Sequence, residues 1–320
     1  MSDIFDLHRF SRLAKGIFGN RWHYFGLHVE NFTPFIQSVY RACIDLKAIN
    51  DDAPLRMLRE IKNIGGRKSF EPHYDQLMQK LSEILIMRQV IRMPWPLGTT
   101  FEIEAGVRGM RKRIDLIATL PNGQKYGFEV KAPKYTAHAH QRNDKKFQFP
   151  PQDRPSFDDS QTKDLVSAIP ARDNTLRSFL RSADEKFGVL KNRSEFRGIL
   201  VIVWDDWIEE AIHPLLNARN GLLTPTTYSE KDGVLEVFHN VDTVLILKHL
   251  TNFVEAAADN GQMGSELDPM SISNSDAHPN IVLQLSNAEL PEFINTGFNA
   301  APVRHPRRAN ETSILLNEFA

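Results

Sequence analysis

A single cysteine, Cys43, stands in 320 residues. No internal disulfide can form, and a cysteine-based zinc site is excluded. This usage suits a reducing cytoplasm. Long apolar runs are missing as well: none approaches the ~18 residues that cross a bilayer. The start, MSDIFDLHRF, carries acids and no apolar stretch, so a secretory signal is not expected. Net charge is nearly absent. Lys+Arg 39 against Asp+Glu 40 leaves a formal −1, so any nucleic-acid footprint must be local. There is no internal repeat and no G-x-x-x-x-G-K-[ST] loop for a nucleotide. Together these absences predict a soluble cytoplasmic protein with no membrane partner.

What is present is ordinary in amount. Hydrophobic residues make up 41% and charged residues 25%, enough for a real core. The N-terminal region reads as helical. Phe32, Phe35, Ile36, Val39, Tyr40, Cys43 and Ile44 recur at three-to-four spacing, and Pro34 sits where a helix start tolerates it. Gly65-Gly66 breaks the pattern. These aromatics read as packing rather than as a base-stacking platform. A second helix is expected over 71–91, with Tyr74, Leu77, Met78, Leu81, Ile84, Leu85 and Arg88 marking one packed stripe and its edge. Glu83 lies beside that stripe, and Pro94 and Pro96 end the segment.

Three strands are expected next. Phe101 and Ile103 alternate with Glu102 and Glu104. Then comes RKRIDLIATLPNGQKYGFEVK, residues 111–131, whose Asn122-Gly123 is a strong hairpin signal. Short connections make an antiparallel meander the simplest arrangement. Helical pattern follows at 158–169 and again from Asp173, where Leu176, Phe179, Leu180, Ala183 and Phe187 define a clean face. Arg197–Trp204 is nearly all apolar and suits a strand buried on both sides. A helix is expected at Trp207–Asn217, with Asp205 and Asp206 as turn and N-cap residues, and a further strand at Thr243–Leu247. Beyond about residue 256, Asp, Asn, Ser, Gly and Pro dominate. A basic cluster (Arg304, His305, Arg307, Arg308) and a short apolar end (Ile314, Leu315, Leu316) close the chain. The expected division is a helical extension at 1–69, a central domain at 70–255 and a flexible or extended tail at 256–320.

The chemistry concentrates on the hairpin. Residues two apart on a strand share a face at about 6.6 Å, so Glu129 and Lys131 point together. Pairing about the Asn122-Gly123 turn sets opposite each other residues whose numbers sum to roughly 244–245, which brings Asp115 opposite Glu129 or its neighbour. Two carboxylates within reach of one Mg²⁺ (or Mn²⁺), with a lysine beside them, suit cleavage of a phosphodiester. The blander readings are a strand-edge acid for Asp115, a surface ion pair for Glu129 and Lys131, and an exposed helix position for Glu83. An unpaired carboxylate among Ile114, Leu116, Ile117 and Ala118 is costly to bury, which favours function for Asp115. Basic groups flank the centre: Arg108, Arg111, Lys112 and Arg113 before it, and Lys134, Arg142, Lys145 and Lys146 after it. They form a candidate surface for tracking phosphates. His138 and His140 lack evident partner ligands and read as loop residues.

The pattern Asp115-x13-Glu129-x-Lys131, placed after an acidic helix and before a helix and a buried strand, resembles the PD-(D/E)XK nuclease superfamily over roughly residues 70–250. Ile114 stands where the family's name expects Pro. The resemblance implies an α/β mixed sheet with a restriction-endonuclease-like core, αβββαβ. It implies metal ligation by Asp115 and Glu129, with the Val130 carbonyl helping, and water orientation or activation by Lys131. It also implies a helical acid, for which Glu83 is the best match, and polar residues on the following helix, for which Gln161 and Lys163 are secondary candidates. The expected activity is a Mg²⁺-dependent endonuclease acting on DNA in a prokaryotic or phage setting, with antiviral defence as the family-level role. Targeting would come from oligomerisation or a partner protein. RNA cleavage, or a non-catalytic binding or scaffold role on the same fold, are the alternatives.

Overall fold

The structure is a computed structural model that describes residues 7–19, 23–65, 71–106, 113–135, 173–191, 195–205, 207–217, 221–224, 227, 230–231, 234–258, 268–272, 280–286 and 290–303. Helices α1 (Leu7–Phe18), α2 (Gly26–Asn31), α3 (Pro34–Asp45), α4 (Ala53–Ile64) and α5 (Glu71–Ile91) come first. Strands β1 (Thr100–Ala105), β2 (Ile114–Thr119) and β3 (Lys125–Lys131) follow. Then come α6 (Asp173–Lys191), β4 (Phe196–Trp204), α7 (Glu209–Leu216) and the short pair β5 (Glu230–Lys231) and β6 (Val234–Leu235). The chain continues with β7 (Thr243–Lys248), α8 (Leu250–Ala258), β8 (Asn280–Gln284), α9 (Glu292–Gly297) and β9 (Ala300–Val303). The expected helix at 158–169 lies outside the described residues.

Seven strands form one mixed sheet in the order β1-β2-β3-β4-β7-β8-β9. The meander β1-β2-β3 is antiparallel, as its short turns require. Gly123 takes φ 89°, the left-handed conformation that glycine adopts without strain, and its N–H returns to the Leu120 carbonyl at 2.9 Å. That turn fixes the register: Leu116 faces Phe128 and Thr119 faces Lys125, so paired numbers sum to 244 as expected. From β3 the sheet becomes parallel, with Glu129 beside Leu200 and Lys131 beside Ile202. A parallel neighbour needs a crossover, and α6 lies in that connection. Strand β4 is buried along nearly its whole length between β3 and β7, which is why RGILVIVW carries no alternation.

The sheet is covered on both faces. One face buries Phe128, Val130, Ile199, Val201, Val203, Leu245 and Leu247 against residues of α1, α3, α4, α5 and α8. The other buries Leu200, Ile202, Trp204, Val244 and Ile246 against α6 and α7. The N-terminal helices share one continuous apolar cluster with α5 and the sheet.

Two expectations change here. Helix α5 does not have a single stripe: Ile86, Met87 and Val90 are buried along with Leu77, Met78, Leu81, Ile84 and Leu85. It lies between the N-terminal helices and the sheet, and a helix packed from several sides loses its amphipathic signature. The stretch 256–320 is not merely a tail. Strand β8 pairs antiparallel with β7, and β9 runs parallel to β8, extending the sheet by two strands. Asp268 also accepts from the Arg88 guanidinium at 2.9 Å, tying residues 268–272 to α5. The apolar run Ile281–Leu283 is only three residues long, too short to stand out amid polar composition, yet it is buried. The basic cluster 304–308 and the end 314–316 lie outside the described residues. Asp205 does take a turn role, accepting from the Trp207 N–H at 3.1 Å, but Ile208 is the N-cap of α7. Asp206 is outside the described residues.

Candidate active site at a fork in the sheet

Strands β2 and β3 stop pairing after Leu116 and Phe128, and Asp115 and Glu129 lie one residue past that point. Beyond it β3 keeps β4 on one side, while its other edge is open. Side chains close that edge. The Asp115 Oδ2 accepts from the Val130 N–H at 2.7 Å. Gln79, from α5, donates Nε2 to the Val130 carbonyl at 2.9 Å, and its Oε1 accepts from the Ala132 N–H at 2.7 Å. A glutamine amide thus does the work of a strand backbone, satisfying buried groups that would otherwise be costly. On the far side of β2, Glu104 holds φ 52°, a strained conformation for a residue with a Cβ. The β1–β2 register skips it, pairing Ile103 with Leu116 and Ala105 with Ile114.

Glu129 is fully buried, at 0% exposure. Its Oε1 receives two ammonium groups, Lys131 at 2.6 Å and Lys186 at 2.5 Å. Its Oε2 is buried and has no hydrogen-bond partner. Lys131 arrives by strand geometry, two residues on and on the same face. Lys186 arrives from α6. That helix docks closely because Phe187 packs on Gly198, where an added Cβ would come within 2.4 Å of the phenyl ring.

Glu83 stands on α5, one turn beyond Gln79. It accepts from Gln79 Nε2 at 3.0 Å and pairs with Lys80, which also reaches Glu60 at 2.8 Å. Its side chain is mostly buried, so the exposed-position reading fails.

Charge couples these groups. Burial, then the negative charges of Glu129 and Glu83, push the Asp115 carboxyl up to about 8, against the pull of Lys186 and the Val130 N–H. Burial lowers the Lys131 ammonium, but Glu129, Asp115 and Glu83 more than offset that, and its pKa is raised. Lys131 is therefore a proton-bearing cation at neutral pH.

The structure brings together Asp115, Glu129, Lys131 and, by its charge, Glu83. The Val130 carbonyl lies on the same open edge, with Gln79 on one of its lone pairs. Arg113 is exposed beside the site and lies 3.8 Å from Glu104. Lys134 is exposed just past β3. Arg108, Arg111, Lys112, Arg142, Lys145, Lys146, Gln161, Lys163, His138 and His140 lie outside the described residues. Sequence reasoning missed Gln79 and Lys186. Gln79 precedes Glu83 by four residues, the spacing that puts two side chains on one helix face. Lys186 adjoins Phe187 at the margin of the recognised apolar face, and no local pattern sets it apart from a solvated lysine.

Among the described residues, no group of three His, Cys, Asp or Glu side chains could hold a metal ion. A smaller donor set does fit a hard divalent cation. The buried Glu129 Oε2 has no partner, and Asp115 is near enough for the two negative charges to oppose each other. One or two carboxylates with waters completing the shell is an ordinary Mg²⁺ arrangement. No helix among the described residues is long and apolar enough to cross a membrane. Compared with family models, curated proteins and solved structures, the chain matches none.

Proposed function

We propose that this protein is a divalent-metal-dependent nuclease acting on DNA, with a restriction-endonuclease-like core formed by α5, the β1-β2-β3 meander, α6 and β4. The observation that carries the reading is the Glu129 carboxylate: fully buried, two lysines on one oxygen, the other oxygen without a partner, and a second carboxylate across the fork. Structural ion pairs of such burial satisfy both oxygens as a rule. The order and pairing of these six elements support the same reading.

Asp115 and Glu129 would hold Mg²⁺ or Mn²⁺. The bound ion supplies Lewis-acid neutralisation of phosphoryl oxygens and a water acidic enough to ionise near neutral pH. The Val130 N–H fixes one oxygen of Asp115 and leaves the other available. Lys131, held protonated, neutralises charge growing on the phosphate and orients the attacking water through a hydrogen bond. Gln79 keeps β3 in place and positions Glu83 behind it. The basic residues on either side of the hairpin would follow the DNA backbone. Targeting by self-association or by a partner protein, and a place in defence against foreign DNA, belong to this proposal.

A second reading has one observation in its favour. Both lysines already neutralise Glu129 and no three-ligand group occurs among the described residues, as suits a non-catalytic binding or scaffold protein. Incubation of plasmid, and separately of RNA, with Mg²⁺ or Mn²⁺ separates the two. Wild type is expected to cut DNA, and Asp115→Ala and Lys131→Ala to lose about 100-fold or more of the rate, the range for deleting a group that stabilises developing charge. Equal cutting by all three sinks the proposal. Cutting of RNA alone reassigns the substrate, and no cutting of either favours the scaffold.

A further inference from the structure

The Glu129 ion pairs are not equivalent. Lys131 projects from Glu129's own strand, two residues on and from the same face. Lys186 reaches Glu129 from α6 on a flexible four-carbon stem, and among the described residues Glu129 is the partner of its ammonium. One ammonium suffices to balance one carboxylate. The second occupies the same oxygen while Oε2 has nothing. A compact cation beside a buried carboxylate stands where a hard metal ion of the same sign would be repelled by it.

We infer that Lys186 is a resident counter-ion of Glu129, competing with a divalent cation and giving way when that cation binds. This rests on the proposed metal-binding role of Asp115 and Glu129. It assigns to Lys186 a regulation of that role: the carboxylate is held in place until metal is present, and loading exchanges one cation for another. Lys186 is thus a positioning residue that holds the empty carboxylate.

Mn²⁺ titration of the full chain, followed by calorimetry and by the loss of the free-ion paramagnetic resonance signal, tests this. Lys186→Gln is expected to bind Mn²⁺ more tightly than wild type, by roughly 5-fold or more, the lower end of coupling between sites. Lys186→Arg keeps the positive charge and is expected to bind no tighter than wild type. Glu129→Gln is expected to lose the binding. Thermal melts establish that each variant is folded, and Lys186→Met carries the same expectation as Gln if the latter does not fold. Equal or weaker Mn²⁺ binding in the neutral variants overturns the inference, because a merely supportive salt bridge would weaken the site when cut. So does tighter binding in Lys186→Arg, or no Mn²⁺ binding to any chain. The nuclease proposal fails separately. Tighter Mn²⁺ binding in Lys186→Gln with no cleavage above Asp115→Ala keeps the exchange and discards the nuclease.

Discussion

The two faces of the central sheet are built from the same strands and do opposite work. On the face toward α5, positions 128 and 130 of β3 carry Phe and Val, both fully buried against apolar neighbours. On the face toward α6, positions 129 and 131 of the same strand carry Glu and Lys, beside Leu200 and Ile202 of β4. Only the parity of the position differs. A strand with one apolar side can carry charge on the other, because neighbouring positions face opposite layers. A fully buried carboxylate is tolerated here because two ammonium groups reach it, Lys131 from its own strand and Lys186 from α6, each element anchored by apolar contacts of its own.

Phe128→Ala makes the sharpest break. It is expected to cost about 3–5 kcal/mol, the range for removing a large aromatic from a close-packed core. The loss is read from chemical denaturation, and the Mn²⁺ affinity of the remaining folded protein should barely move. A large change in metal affinity at equal foldedness would mean that the faces are not separable.

Gln79→Ala acts at the seam between the faces. It leaves the Val130 carbonyl and the Ala132 N–H on an open edge without their side-chain partners, a loss of about 1–3 kcal/mol. Faster hydrogen exchange at Ala132, with slow exchange kept at Val130 where Asp115 still accepts, would locate the damage at the Gln79 contact. Unchanged exchange at Ala132 would count against that contact.

Asp115→Asn has the opposite sign. Because the folded carboxyl titrates near 8 rather than near the ordinary value of about 4, the native state holds a proton that the unfolded chain has released across that window. Stability therefore falls as pH rises from about 4 toward 8, and the Asn variant should flatten that slope and melt higher above neutrality. Melting curves in metal-free buffer across this range check it. An identical slope in wild type and variant would show that Asp115 is not the group responsible.

Much of the frame was legible in the chain. Asn122-Gly123 fixed a turn, the turn fixed the register, and the register brought Asp115 and Glu129 to one end of the hairpin. The unbroken run at 197–204 correctly indicated a strand covered on both sides. What escaped notice has physical reasons. Helix α5 is packed from several directions, so its sequence has no clear stripe to read. Strand β8 is five residues long and its stability comes from β7, with pairs 35 to 41 positions apart in sequence, so nothing local announces it. Lys186 and Gln79 matter through partners on other elements, Glu129 and Val130, 57 and 51 residues distant. A single sequence records what each residue is, and these two acquire their significance only from what the fold sets in front of them.

The far end of α5 brings time into the picture. Arg88 donates to Asp268, 180 residues later, and to the Met270 carbonyl at 2.7 Å, while Gln89 donates to the Gly297 carbonyl. A chain emerging from its N-terminus would complete Asp115, Glu129, Lys131 and Lys186 long before these clamps exist. Helix α5, which delivers Gln79 and Glu83 at its other end, is held at this end both by Asp45, which precedes it, and by these partners that come much later in the chain. Contacts spanning such distances close slowly, so the Arg88 and Gln89 clamps form late relative to the hairpin contacts that align Asp115 with Glu129.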